Sequence, residues 1–112
     1  MARKDYPQTP DGRYFVAKGR LLRRTDPSLP DTERRAAIKA LMQARRAVRD
    51  ASDENDMRAA RDSVQAAKER LGERGPVWWD DGAPDETQRA PKNSSYADWW
   101  AGLSDAERAA GT

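Results

Sequence analysis

The chain has 112 residues, a mass of 12.6 kDa, 37% hydrophobic and 36% charged residues, and a formal net charge of +2. It contains no Cys and no His, which excludes disulfides, thiolate nucleophiles, imidazole bases and the usual zinc and transition-metal ligands. A mean hydropathy of -1.09 leaves little apolar surface to offset the entropy of ordering every residue. One modest core accompanied by some extended chain is therefore expected.

No apolar run approaches the roughly 20 residues that span a bilayer, and the opening MARKDYPQTP lacks the apolar stretch of a secretory signal. A soluble, cytoplasmic protein with no membrane association is expected. Charge is unevenly spread: residues 1–49 hold 13 Lys and Arg against 5 Asp and Glu, and residues 50–112 hold 8 against 14. Such a split suits either a basic arm for an anionic partner or two halves that pack on each other.

In chain order, TPDGRYFVAKGRLLRR begins with the turn signal Pro10-Asp11-Gly12 and runs into aromatic and β-branched residues. Alternation places Tyr14 and Val16 on one side, with Arg13, Phe15 and Ala17 on the other. Gly19 interrupts the run, and the preferred reading is two short strands about a Lys18-Gly19 turn, with a bulge in one longer strand as the alternative.

Pro27 and Pro30 then punctuate the chain, and Asp31 and Glu33 lie where a helix N-terminus favours negative charge. The spacing of Ala37, Leu41, Ala44, Val48 and Ala51 predicts a helix over Asp31 to Ala51, with Ile38 and Met42 widening its apolar stripe. Asn55 or Ser52 is available to cap a second helix, Asn55 to Leu71. There Met57, Ala60, Val64, Ala67 and Leu71 form a narrow seam, and Gly72 is placed to stop it. Two such stripes joined by a short polar loop make an antiparallel helical hairpin. Its Ala-rich seams are shallow and call for cover.

Past Gly72, GERGPVWWDDGAPD breaks at Gly75-Pro76 and turns again at Asp81-Gly82, with Val77 to Trp79 read as a short strand or extended clamp. Residues 83–94 read as a loop. Ser95 with Asp98 reads as a capping-box variant opening a helix YADWWAGL, and Ser104 with Glu107 reads as a second box opening a final turn.

Three constellations bear on function. Asp80, Asp81, Asp85 and Glu86 are the one group suited to a hard cation or to acid–base work, yet their spacing lacks the alternating ligands of an EF-hand loop. A turn and arginine-paired carboxylates are the structural reading. The pairs Trp78-Trp79 and Trp99-Trp100, with Tyr96, read either as cladding of the helical hairpin or as a partner-binding surface. Finally, Arg13, Lys18, Arg20, Arg23 and Arg24, with Arg45, Arg46 and Arg49 on the first helix, could follow a phosphate backbone or form a solvated basic face.

Together TPDGRYFVAKGRLLRR, the Arg-rich hairpin, GERGPVWWDDGAPD and SSYADWW resemble a family of small bacterial proteins often labelled "biopolymer transporter Tol" or hypothetical. The resemblance covers most of the chain, and GERGPVWWDDGAPD is its most specific block. The transport label has no support in this sequence, because it calls for a transmembrane helix or periplasmic signal. The resemblance implies no cofactor and no catalytic residues by position.

The expected architecture is mainly α (α+β), in one domain over residues 1–112. It comprises a basic strand segment (1–26), the helical hairpin (31–71), and a Trp-rich clamp with a short aromatic helix packed on it (72–112). The expected function is non-enzymatic binding of a protein partner, or of a second copy as a homodimer, through Trp78, Trp79, Tyr96, Trp99 and Trp100. Nucleic-acid binding by the basic N-terminal half is the alternative.

Overall fold

The computed structural model describes residues 5–112. The first residues of the basic N-terminal segment, 1–4, lie outside the described residues. The fold is mainly α with a small β element: two strands, β1 (Tyr14–Ala17) and β2 (Arg20–Arg23), and four helices, α1 (Asp31–Asp50), α2 (Glu54–Arg70), α3 (Ala97–Ala101) and α4 (Asp105–Ala110). No helix among the described residues is long and apolar enough to cross a membrane. The chain divides into two compact units, Thr25–Asp80 and the segment up to Arg24 joined with Asp81–Thr112.

In the unit Thr25–Asp80, α1 opens on Pro30 with Asp31 and Glu33 in its first turn, where their charge meets the unpaired N–H groups of the helix end. Ala51, Ser52 and Asp53 link it to α2. The cap of α2 is Asp53, whose carboxylate accepts from the Asp56 N–H at 2.8 Å, rather than Asn55 or Ser52. At the far end Gly72, at φ +79°, closes a Schellman motif: its N–H donates to the Glu69 carbonyl and that of Glu73 to the Lys68 carbonyl, both at 3.0 Å. Only glycine suits this position, since a Cβ there would stand 2.9 Å from Asp26 Cβ and 3.0 Å from Trp78 Cδ1.

The seam between α1 and α2 is built from small side chains, with Ala37, Leu41, Ala67 and Leu71 as its buried cluster and Leu29, Ala40 and Val64 packed against it. Leu29, just ahead of α1, supplies part of the cover that the shallow seam needs. The chain before α1 is fastened to the end of α2 by Asp26 N–H to the Leu71 carbonyl at 2.8 Å and by Thr25 Oγ1 to Glu73 at 3.0 Å. Ile38 and Met42 do not widen the buried stripe. They are 46% and 51% exposed, because each helical residue advances about 100° and the Ala37-Leu41-Ala44 stripe already fills the narrow contact that a close Ala seam allows.

Val77 to Trp79 is irregular chain and not a strand. Here Trp79 is buried, Trp78 is half-buried, and their rings meet edge to face at 5.1 Å.

In the other unit, β1 and β2 form an antiparallel hairpin in which Tyr14 pairs with Arg23 and Val16 with Leu21. Lys18 (φ 54°) and Gly19 (φ 73°) make its turn, the left-handed pair that matches strand twist. Both rims of the hairpin are occupied. Along β1, Thr9 N–H donates to the Tyr14 carbonyl and Val16 N–H to the Pro7 carbonyl, each at 2.9 Å; along β2, Gln88 N–H donates to the Leu21 carbonyl at 2.7 Å and Leu21 N–H to the Arg89 carbonyl at 2.9 Å. Tyr14, Val16, Leu21 and Arg23 are buried on one face.

The C-terminal aromatic segment packs on this hairpin through Tyr96, whose ring meets that of Tyr14 edge-on at 5.6 Å. Ser95 does not cap α3. Its hydroxyl and N–H instead donate to Glu86, at 2.5 and 2.9 Å, while Ser94 Oγ accepts from the Tyr96 N–H. The second box forms as read, with Ser104 Oγ accepting from Glu107 N–H and Glu107 accepting from Ser104 N–H.

Candidate interaction surface

Of the acidic group, Asp81, Asp85 and Glu86 hold the hairpin unit together, while Asp80 is exposed at the end of the other unit. Asp81 pairs with the Arg13 guanidinium, and Asp85 with the buried Arg23 guanidinium at 3.1 Å. Glu86, 5% exposed, accepts twice from Ser95 through its carboxylate, and its own backbone N–H donates to the Tyr14 hydroxyl at 2.9 Å. These contacts are the arginine-paired carboxylates of the structural reading. Among the described residues no group of three or more carboxylates gathers as a metal would require.

Asp11 belongs to the same network. Burial works to raise its pKa, but donors at Tyr96 Oη (2.6 Å) and Thr9 Oγ1 (2.7 Å), with nearby Arg13, hold the carboxyl below its ordinary range. Conversely, burial and the Asp11 carboxylate push the Tyr96 hydroxyl above its ordinary value.

None of the five aromatic candidates is an exposed side chain. Trp79 is buried, and Trp78, Tyr96, Trp99 and Trp100 are half-buried. Tyr96 meets Trp99 edge to face at 6.5 Å, and Trp99 lies 6.1 Å from Trp100.

The basic candidates fall into both units and are not brought together within one. Arg13 and Arg23 are engaged by Asp81 and Asp85. Arg24 donates to the Gly12 carbonyl at 3.3 Å, Arg20 donates to the Gln88 carbonyl at 3.1 Å, and Lys18 is exposed in the turn. On α1, Arg49 pairs with Asp50, while Arg45 and Arg46 are exposed.

Among the described residues, the exposed large apolar side chains are Ile38 and Met42, one turn apart on α1. Their helical neighbours three and four positions away include Arg34, Arg35, Lys39, Arg45 and Arg46. Of these, Arg34 pairs with Asp31 at 2.6 Å. Arg35, Lys39, Arg45 and Arg46 are exposed and make no ion pair among the described residues. An adjoining groove on the helical hairpin is lined by Val48 and Val64 together with Arg45, Arg61, Arg74, Asp62 and Gln65. On α2, burial, and to a lesser degree Arg74 and Arg45, lowers the pKa of Lys68 from the ordinary lysine value.

The apolar periodicity of the sequence assigns Ile38 and Met42 to the core and does not single out this surface. The available signal was a second 3-4 spacing on α1, Arg35-Ile38-Met42-Arg45-Arg49, rotated away from Ala37-Leu41-Ala44-Val48. No family model, curated protein or solved structure matches the chain, so the functional reading rests on this geometry.

Proposed function

We propose that the protein is a non-enzymatic macromolecule-binding protein whose contact surface is the outward face of α1, and that its partner is a protein. The observation that carries this reading is the exposure of Ile38 and Met42 within a ring of cations. Two large apolar side chains left in water cost hydration free energy that a partner recovers, and Arg, whose planar head desolvates readily, is the charged residue most favoured at interfaces. The half-buried Trp and Tyr side chains, by contrast, have intramolecular work in their own units.

A nucleic-acid partner is the second reading, favoured by the exposed cations Arg35, Lys39, Arg45 and Arg46. Its weakness is that the strand arginines are engaged by carboxylates or carbonyls of their own unit.

A photoreactive amino acid placed at position 38 or 42, with a control at the exposed Ala59 on α2, separates these readings in cells. Protein adducts from 38 and 42 that resist nuclease and are absent from 59 are expected. Nuclease-sensitive adducts would assign the face to nucleic acid, and no adduct from either position would end the proposal.

A further inference from the structure

Building on the reading of α1 as a contact surface, we infer that its occupant is an acidic amphipathic helix of another protein, laid along Arg35, Ile38, Met42, Arg45 and Arg49. The helix carries two seams of the same 3-4 spacing. The inward one meets α2 through Ala37, Leu41 and Ala44, which are buried, and the outward one leaves Ile38 and Met42 exposed, with Arg49 paired only to its neighbour Asp50 among the described residues. A spacing alternating three and four is the pattern one helix presents to another, because it keeps the side chains in line over successive turns. The outward seam runs from position 35 to 49, about 21 Å at 1.5 Å per residue, enough for three to four turns of a docked helix.

Its chemistry names the partner's. Apolar side chains occupy only the middle, at Ile38 and Met42, and arginines stand at both ends, so the complementary helix has an apolar pair one turn apart with carboxylates beyond it on each side. Lys39 and Arg46 add charge along one flank.

A second copy is a poor occupant. Seating α1 on α1 sets arginine rows against arginine rows, and α2 carries as many cations as carboxylates, so it offers no net negative face. Phosphates suit the arginines but leave Ile38 and Met42 desolvated against charged oxygens, without gain.

The test uses the whole chain and designed peptides of about 20 residues followed by fluorescence anisotropy. One peptide is helical, with two central Leu one turn apart and Glu flanking them. A second has the same composition with the Leu dispersed, a third replaces Glu by Lys, and a duplex DNA is run alongside.

The patterned acidic peptide is expected to bind at least about tenfold more tightly than the dispersed one. Ile38→Gln with Met42→Gln should remove that preference without lowering the melting temperature, since both side chains are exposed. Arg45→Glu should weaken binding, and a Glu→Lys change in the facing part of the peptide should restore it. Equal binding of the two acidic peptides, or no binding by either, overturns the inference. If that happens while position 38 still traps protein in cells, the acidic-helix assignment alone falls; if the traps also fail, the contact surface falls with it. Tighter binding of duplex DNA, lost in Arg45→Glu, would give the face to nucleic acid.

Discussion

The two units of this chain reach stability by different means. The helical hairpin is held by a repeated contact of small apolar side chains, Ala37, Leu41, Ala67 and Leu71, each a few residues from the next along its own helix. The β-hairpin unit buries Tyr14, Val16 and Leu21 on one face and is tied together by single polar contacts between distant residues: Arg13 with Asp81, Tyr14 with the Glu86 N–H, Arg23 with Asp85, and Tyr96 with Asp11. A seam of the first kind is redundant and insensitive to pH. A network of the second kind depends on each member and on its protonation state.

The largest test of this contrast is Leu71→Ala. Leu71 is 1% exposed, and truncation of so buried a leucine costs about 3 kcal/mol through lost burial and the cavity left behind. Segment-resolved hydrogen exchange should show the loss in α1 and α2, and the contrast breaks if the amides of β1 and β2 are the ones released. Next comes Glu86→Ala, which deprives the Ser95 N–H and hydroxyl of their acceptor at a buried position. About 2 kcal/mol is expected from losing a charged acceptor, with exchange rising over residues 86–96. Asp53→Ala should cost about 1 kcal/mol by removing the cap of α2, read as a lower midpoint in urea with an unchanged slope.

The smallest effect is the pH dependence. Asp11 titrates below its ordinary range in the folded chain, so its contribution is present above the unfolded value near about pH 4 and disappears as pH falls through the lowered folded value. Tyr96 is raised, so its contribution is present below about pH 10 and is lost as pH climbs towards its folded value. Asp11→Asn should flatten the acid limb of stability against pH, and Tyr96→Phe the alkaline limb. Both limbs should belong to the β-hairpin unit, and an acid limb that melts α1 and α2 first would undo the comparison.

The same division explains what was legible in the sequence. The helices were expected at Asp31 to Ala51 and Asn55 to Leu71 and occupy Asp31–Asp50 and Glu54–Arg70. The Lys18-Gly19 turn, the Gly72 stop and the Ser104–Glu107 box follow from residues within a few positions of one another. Ser95 was misread because its partner, Glu86, lies nine residues back and outcompetes the local capping role. Val77 to Trp79 reads as a short strand or an extended clamp, and it is no strand: the hairpin's rims are taken by Pro7 and Thr9 on one side and Gln88 and Arg89 on the other.

Ile38 and Met42 were misassigned for a different reason. Periodicity shows that a helix has an apolar side, while the size of the facing side chains decides how wide the buried part of it is. With alanines opposite, only a narrow strip closes, and the surplus apolar residues became the candidate site.

The occupied rims of the hairpin also bear on how the molecule keeps to itself in a crowded cell. An exposed strand edge is a template on which any extended chain can add. Here the outward backbone groups of Tyr14, Val16 and Leu21 are already answered by the chain's own segments. Recruitment into a growing sheet therefore requires peeling away residues 7–9 or 88–89 first, so intermolecular strand addition begins with a local opening.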